Sequence, residues 1–327
     1  MILILSTQTE PFSNFVETEF CAENITYFRF NLDLESVKHT YINCYNDDIE
    51  INQFGKKILL SDVRIVWMKV KNLFITHQDE KEFGGFSDEI NFKLWKDEWN
   101  ITIRQIISFL EESNVKWFDT PTSLSNGGLK NQQFRIAKET GFNIPKTLIS
   151  NDRNSITNFI NSNNESVIKL STQPAFFKDD DIYFIYTNKI TILELSDYDK
   201  CLNSPMIFQE YIEKQYEVRY TFVNGNHFVC KIDSQVSEIS KIDWRRYDIQ
   251  NTPYVAIEPP KNILEKVNQF MKVLNLNYGA LDFIVDKNNK WWFLEINPVG
   301  QYGWIEQLTG MPITQAIVDY IKLQLND

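Results

Sequence analysis

Three oxygen-bearing side chains near the end of the chain have the spacing of a metal site. In "GALDFIVDKNNKWWFLEIN" two apolar runs flank "DKNNK" and read as a pair of strands. A two-residue turn at Asn288 and Asn289, a residue type that tolerates φ > 0, makes them a hairpin and sets Asp282 directly opposite Glu295. Opposed carboxylates repel and destabilise a sheet unless something cationic sits between them. Asn297, two residues beyond Glu295, points to the same face and adds a neutral oxygen. An Asp, a Glu and an Asn without His or Cys form a set for Mg²⁺ or Mn²⁺ rather than zinc. Phe283, Trp292, Phe293 and Leu294 predict that this sheet is buried on much of both faces.

Cations stand where burial would otherwise exclude them. Lys169 lies inside the apolar "VIKL", and Arg219 and Lys231 lie in "EVRYTFVNGNHFVCKID", a hairpin that turns at Asn224-Gly225. Whether Arg219 and Lys231 share a face depends on a loop of two or of three residues. A buried cation needs an anion, and a nucleotide phosphate is a natural one.

The elements that must position these groups follow from periodicity. "MILILS", "ITYFRFNL" and "VRIVWMKV" read as strands of an α/β region, followed by an amphipathic stretch from about Phe86 to Glu112 with Ile101, Ile103, Ile106, Ile107 and Leu110 as its core face. "VKWFDTP" is a short strand that ends at Pro121. A helix from about Leu129 to Thr140 is capped by Ser125 or Asn126, ended by Gly141 and kept from continuing by Pro145. "SVIKLS", "DIYFIYT" and "MIFQEYI" are further strands.

The 327 residues suffice for two or three small domains with a real core, and the formal net charge of −11 argues against generic binding to nucleic acid. Four scattered cysteines, with no CxxC and no His at ligand spacing, exclude a zinc site or a disulfide framework. The opening apolar run is too short for a signal peptide or membrane span, so a cytoplasmic protein is expected. Neither a Ser-His-Asp nor a Cys-His pattern is present.

Together and in order, these residues resemble the ATP-grasp superfamily. Lys130 precedes Gly141 and "IPKT" like that family's first phosphate-binding lysine, and Lys169 looks like the second. "FQEYI" resembles the hinge in which Gln209, Glu210, Tyr211 and Ile212 would face adenine. Glu217 is placed like the ribose ligand, Arg219 like the phosphate-contacting arginine, and Asp282, Glu295 and Asn297 match the metal triad. The resemblance implies an α/β, α+β grasp architecture of three domains, with an N-terminal domain over 1–121, a central domain over 122–207 and a C-terminal domain over 208–327, the last two sandwiching ATP and Mg²⁺. One departure is plain: where a glycine-rich phosphate lid is usual, "STQPAFFKDD" contains no glycine.

That lid, with "KIDSQ", "DWRRYD" and "EINPVGQYGWIE", is similar to the microviridin-type macrocyclases that mature graspetides. The resemblance implies a cytoplasmic enzyme, often a homodimer, that recognises the leader of a ribosomal precursor peptide. It would close ω-ester rings with Thr or Ser, or ω-amide rings with Lys. A carboxylate is a poor acyl donor, so it first takes phosphate from ATP; Lys130, Lys169 and Arg219 would offset the charge. Lys231 is a further candidate cation, and Arg245 or Arg246 would grip the substrate carboxylate or acyl phosphate, unless the two are a solvated pair bridging to Asp243 and Asp248. Other readings are a glutamate-adding ligase of the ribosomal-protein-modifying type and a silent peptide-binding protein that retains the fold.

Overall fold

The computed structural model describes residues 1–70, 89–171, 175–178, 181–184, 186–198, 203–246 and 248–326, with the backbone alone for 175–178 and 181–184. Residues 86–88 of the expected amphipathic stretch, residues 172–174, 179 and 180 of the glycine-free segment, Ile185 and Tyr247 lie outside the described residues. The chain divides into two compact units, one of residues 1–125, 299–303 and 312–327 and one of residues 126–298 and 304–311.

In the first unit β1 (Ile2–Ser6), β2 (Tyr27–Asn31), β6 (Ile65–Met68) and β7 (Lys116–Trp117) form a parallel sheet in the order β2-β1-β6-β7. Parallel neighbours need crossovers, which include α1 (Ser13–Ala22) and α3 (Glu89–Glu112). Along α3, Ile103, Ile106 and Leu110 are buried, but Ile101 is 50% exposed. At 100° per residue Ile101 lies on the side opposite Leu110, so the expected face is narrower than the isoleucine count suggests. After α2 (Leu34–Lys38), an antiparallel meander of β3 (Thr40–Cys44), β4 (Ile49–Gln53) and β5 (Lys56–Leu59) occupies the stretch between the second and third strands expected from sequence. Its strands are short and β3 and β5 are largely exposed, so they carry little apolar signal. Helix α9 (Ile313–Asn326) packs against α1.

Helix α4 (Pro121–Gly128) precedes α5 (Lys130–Glu139). Ser125 and Asn126 therefore do not cap α5, because α4 absorbs them. Pro121 suits a first helical position, and the Thr120 hydroxyl accepts from Ser123 N at 3.1 Å. Leu129 stands at the N-cap of α5, and Gly141, at φ +82°, follows its end as expected.

The second unit holds two larger antiparallel sheets. The first has the order β12 (Asn188–Ile190), β9 (Ser166–Lys169), β13 (Met206–Glu210), β8 (Thr147–Ser150). Its apolar face packs Ile168, Met206 and Phe208 against Ile156 and Ile160 of α6 (Arg153–Asn161). Strands β10 (Ala175–Lys178) and β11 (Asp181–Phe184) make a separate hairpin. The five-stranded sheet runs β16 (Tyr254–Ala256), β15 (Asn226–Ile232), β14 (Lys214–Val223), β17 (Tyr278–Asp286), β18 (Trp291–Asn297). One face buries a cluster of aromatic rings, Phe283 and Phe293 against Phe142 and against Phe270 of α7 (Lys261–Leu274). Helix α8 (Gly303–Thr309) follows β18.

Two hairpin registers set the opposite face of this sheet. Asn224 and Gly225 both have positive φ, so the β14–β15 loop has two residues and pairs Val223 with Asn226. Arg219 then opposes Cys230, while Lys231 opposes Val218. In the β17–β18 hairpin the turn is one residue longer than expected. Asp286 N donates to Lys290 O at 3.1 Å, Asn289 sits at φ 59°, and the Asp286 carboxylate accepts from the amides of Asn288 and Lys290. Phe283 consequently pairs with Phe293, yet Asp282 still pairs with Glu295, because the register slips by one residue at Leu294. That bulge returns Glu295 and Asn297 to the face of Asp282 while Phe293 and Ile296 stay buried behind.

Strand β18 is the outer strand, and its free side is closed by side chains. Gln133 of α5 donates to Ile296 O at 2.9 Å and accepts from Ile296 N at 3.2 Å, as a neighbouring strand would. Asn143 donates to Trp291 O, and its carbonyl accepts from Phe293 N. Among the described residues no helix is long and apolar enough to cross a membrane. Replacing the fully buried Gln133 by Ala strands the backbone groups of Ile296. Urea unfolding of Gln133→Ala should therefore show a loss of about 2 kcal/mol or more.

Candidate active site between two antiparallel sheets

The face of the five-stranded sheet opposite the aromatic cluster is charged. Arg219, Asp282 and Glu295 form one row across β14, β17 and β18. Arg219 Nη1 donates to Asp282 Oδ1 at 3.0 Å. Glu295 pairs with Lys130, the first residue of α5, and with Arg245 Nη1 at 3.4 Å. The demand of the facing carboxylates for positive charge is thus met here by protein side chains. Burial pushes Asp282 above the ordinary carboxylate range against the pull of Arg219. Burial would raise Glu295 too, but Lys130 and Arg245 outweigh it and hold this carboxyl low. Two interacting acids in one site part in this way.

Opposite this row, the four-stranded sheet contributes Lys169 and Gln209 to the same cavity. Lys169 Nζ donates to Gln209 Oε1 at 2.7 Å, and Gln209 Nε2 donates to the Thr147 hydroxyl at 2.9 Å. Burial pushes the Lys169 amine down to about 8. The Gln209 amide expected to face adenine is thus engaged with Lys169 and Thr147. Glu210, Tyr211 and Ile212 also line the cavity.

The loop after β15 divides the arginine pair. Asp243, 4% exposed, holds Arg245 through Nε at 2.9 Å and Nη2 at 2.7 Å, and Arg245 lines the cavity. Asp243 also accepts from Thr187 N at 3.0 Å, and the Arg245 charge helps to hold its carboxyl low against burial. Arg246 turns away to Asn188 Oδ1 and the Tyr186 ring. The solvated pair considered from sequence is therefore a buried Asp243 holding a partly exposed Arg245, beside a separate arginine. Lys231 is a correction: the two-residue turn puts it on the face opposite Arg219, over the Tyr216 ring and 3.1 Å from Asp233.

Two cavity residues had no place in the sequence reading. Lys214 is buried and donates to Glu217 at 2.8 Å, and Phe134 of α5 lines the wall. A lysine three residues before a strand glutamate carries little signal, because such positions point to opposite faces of a regular strand.

Asp282, Glu295 and Asn297 could hold a hard divalent cation. They are oxygen donors on one sheet face, with Asn297 two pairs along the ladder opposite Ala280. Among the described residues no three His, Cys, Asp or Glu side chains gather as a metal cluster, and the present set is instead two carboxylates and an amide. Lys130, Lys169, Arg219 and Arg245 around such a cation could neutralise a polyanion and a developing negative charge.

No protein-family model matches the chain, and no curated protein matches it by sequence. Solved structures do. A Chryseobacterium gregarium RiPP-associated ATP-grasp ligase in complex with ADP and a leader and core peptide is 28% identical, with a TM-score of 0.81 over 98% of this chain and 95% of that one. The macrocyclase MdnC from Microcystis aeruginosa, bound with precursor peptide MdnA, is 25% identical, with a TM-score of 0.83 over 100% of both chains. The ATP-grasp ligase PsnB, complexed with minimal precursor, Mg and ADP, shares the fold at 16% identity, with a TM-score of 0.76 over 99% of this chain and 96% of that one. With two sheets facing each other across a charged cavity and these full-length likenesses, the chain is an ATP-grasp ligase that resembles the microviridin-type peptide macrocyclases.

Proposed function

We propose that this ligase activates Asp or Glu side chains of a ribosomal precursor peptide as acyl phosphates at the expense of ATP, and closes them onto Thr or Ser as ω-esters or onto Lys as ω-amides. One observation carries the reading: the buried Asp282 and the partly buried Glu295 face each other in one cavity with Lys130, Lys169 and Arg245, in a chain similar over its whole length to a macrocyclase bound with its precursor.

In this reading the central and C-terminal grasp domains meet near Ile207, and the nucleotide lies between their sheets. The backbone of Glu210 to Ile212 meets the base, Glu217 the sugar, and Lys130, Lys169 and Arg219 the phosphates. Asp282, Glu295 and Asn297 would hold Mg²⁺, which when bound would draw charge from the phosphate oxygens. Arg245, fixed by Asp243, orients the substrate carboxylate for attack on the γ-phosphorus, which breaks its bond to the β–γ bridging oxygen and releases ADP. The acceptor hydroxyl or amine then attacks the acyl carbon, loses its proton and expels phosphate, for a net loss of one water per ring. No side chain of the protein has to become a nucleophile. A cytoplasmic location and a homodimer belong to the same reading.

Mass spectrometry of a precursor peptide encoded beside the gene, incubated with enzyme, ATP and Mg²⁺, should show 18 Da lost per ring, the mass of water. A gain of whole residues would instead mark a glutamate-adding ligase, and an unchanged mass would sink both readings. Glu295→Gln should lower turnover at least about a hundredfold while leaving peptide affinity largely unchanged. The affinity for ADP should be level below the Lys169 value of about 8 and fall above it, because the amine must then regain a proton to meet phosphate. Titration calorimetry across that range, with Lys169→Met as a flat control, measures it.

A further inference from the structure

The mechanism above does not use Lys214, although it is among the most deeply buried cations of the second unit, with a side chain 5% exposed. In a regular strand Lys214 and Glu217 would point to opposite faces. The ladder between β14 and β17 slips between Lys214 and Tyr216, and the extra residue, Gln215, is exposed. This bulge brings Lys214 round to the face of Glu217, where its Nζ donates to Glu217 Oε1 at 2.8 Å. Ser234 Oγ donates to the same oxygen at 3.0 Å. Both donors meet Oε1, which turns the carboxylate into one fixed orientation.

Lys214 makes a second bond, to the Ile242 carbonyl at 2.7 Å. Ile242 opens the loop that carries Asp243 and Arg245. From the four-stranded sheet the same loop is held by Thr187 N on Asp243. It is held from the other side by Trp244 stacked on Trp304 at 4.9 Å. Lys214 therefore bonds both Glu217 and this loop, and it lines the same cavity.

We propose that Lys214 is a positioning residue that presets Glu217 for the sugar of the nucleotide and pins the Ile242–Arg246 loop, so that the sugar end of the site and Arg245 are set together. The assignment rests on the ATP reading given above. It gives the bulge at Gln215 a purpose, since a straight strand would point the lysine away.

The test compares the full-length wild type with Lys214→Met, Lys214→Arg and Ser234→Ala by calorimetric titration with ADP and Mg²⁺ and by hydrogen exchange of the loop amides. Lys214→Met should weaken ADP about tenfold or more, as expected for one charge-assisted hydrogen bond in a buried site, and should speed exchange at 243–246. Ser234→Ala should weaken ADP less and leave loop exchange as in the wild type, and Lys214→Arg should restore most of both properties. ADP affinity and loop exchange in Lys214→Met equal to those of the wild type would overturn the proposal. A wild type that binds no ADP would overturn the ATP reading itself, which separates the two failures. If Lys214→Met alone does not fold, the double variant K214M/E217Q removes the buried charges together. Its loop should still exchange faster than the wild type's, and unchanged exchange would overturn the assignment.

Discussion

Charge compensation on one buried sheet face governs this molecule. Two carboxylates opposed across a ladder cannot both stay ionised away from water unless cations come to them. Here the cations arrive from three directions: Arg219 along the sheet, Lys130 from the first turn of a helix, and Arg245 from a loop. Lys130 is a cation at a helix N-terminus, where the peptide dipoles disfavour it, and Glu295 supplies the opposing attraction. The orientation of α5, the docking of the loop and the register of β17 with β18 are all answers to that one electrostatic demand.

The backbone meets the same demand through irregularity. Both strands that flank β17 carry a residue too many, one at Gln215 and one at Leu294, and each extra residue leaves a charged side chain facing the cavity. A regular ladder fixes faces by parity alone. Breaking parity at two places lets the aromatic cluster behind the sheet remain continuous while the charged face in front is composed independently.

Much of this was legible in the order of residues. The facing of Asp282 and Glu295 followed from turn chemistry, although by a path with two compensating departures: a longer turn and a bulge that restored the pairing. The Asn224-Gly225 turn was legible as a turn, but only its observed length separated Arg219 from Lys231. Lys169 was visible because a lysine inside "VIKL" breaks a hydrophobic run. Lys214 was invisible for the converse reason, since its partner stands at a spacing that a regular strand forbids. The division of labour between Arg245 and Arg246 depends on contacts with Thr187 and Asn188, more than fifty positions away in sequence. The β3–β5 meander lacked any strong alternation, and helix α4 hid inside a run rich in Ser, Asn and Gly.

The outer side of β18 has one more consequence. An uncovered sheet edge is a template that accepts any extended chain, whatever its side chains. On the proposed function the protein would meet such chains continually, and capture at this edge would block it with material it cannot process. Gln133 and Asn143 occupy amides and carbonyls on that edge. Promiscuous capture beside the carboxylates is thereby denied, and recognition there is left to side-chain chemistry, which can discriminate.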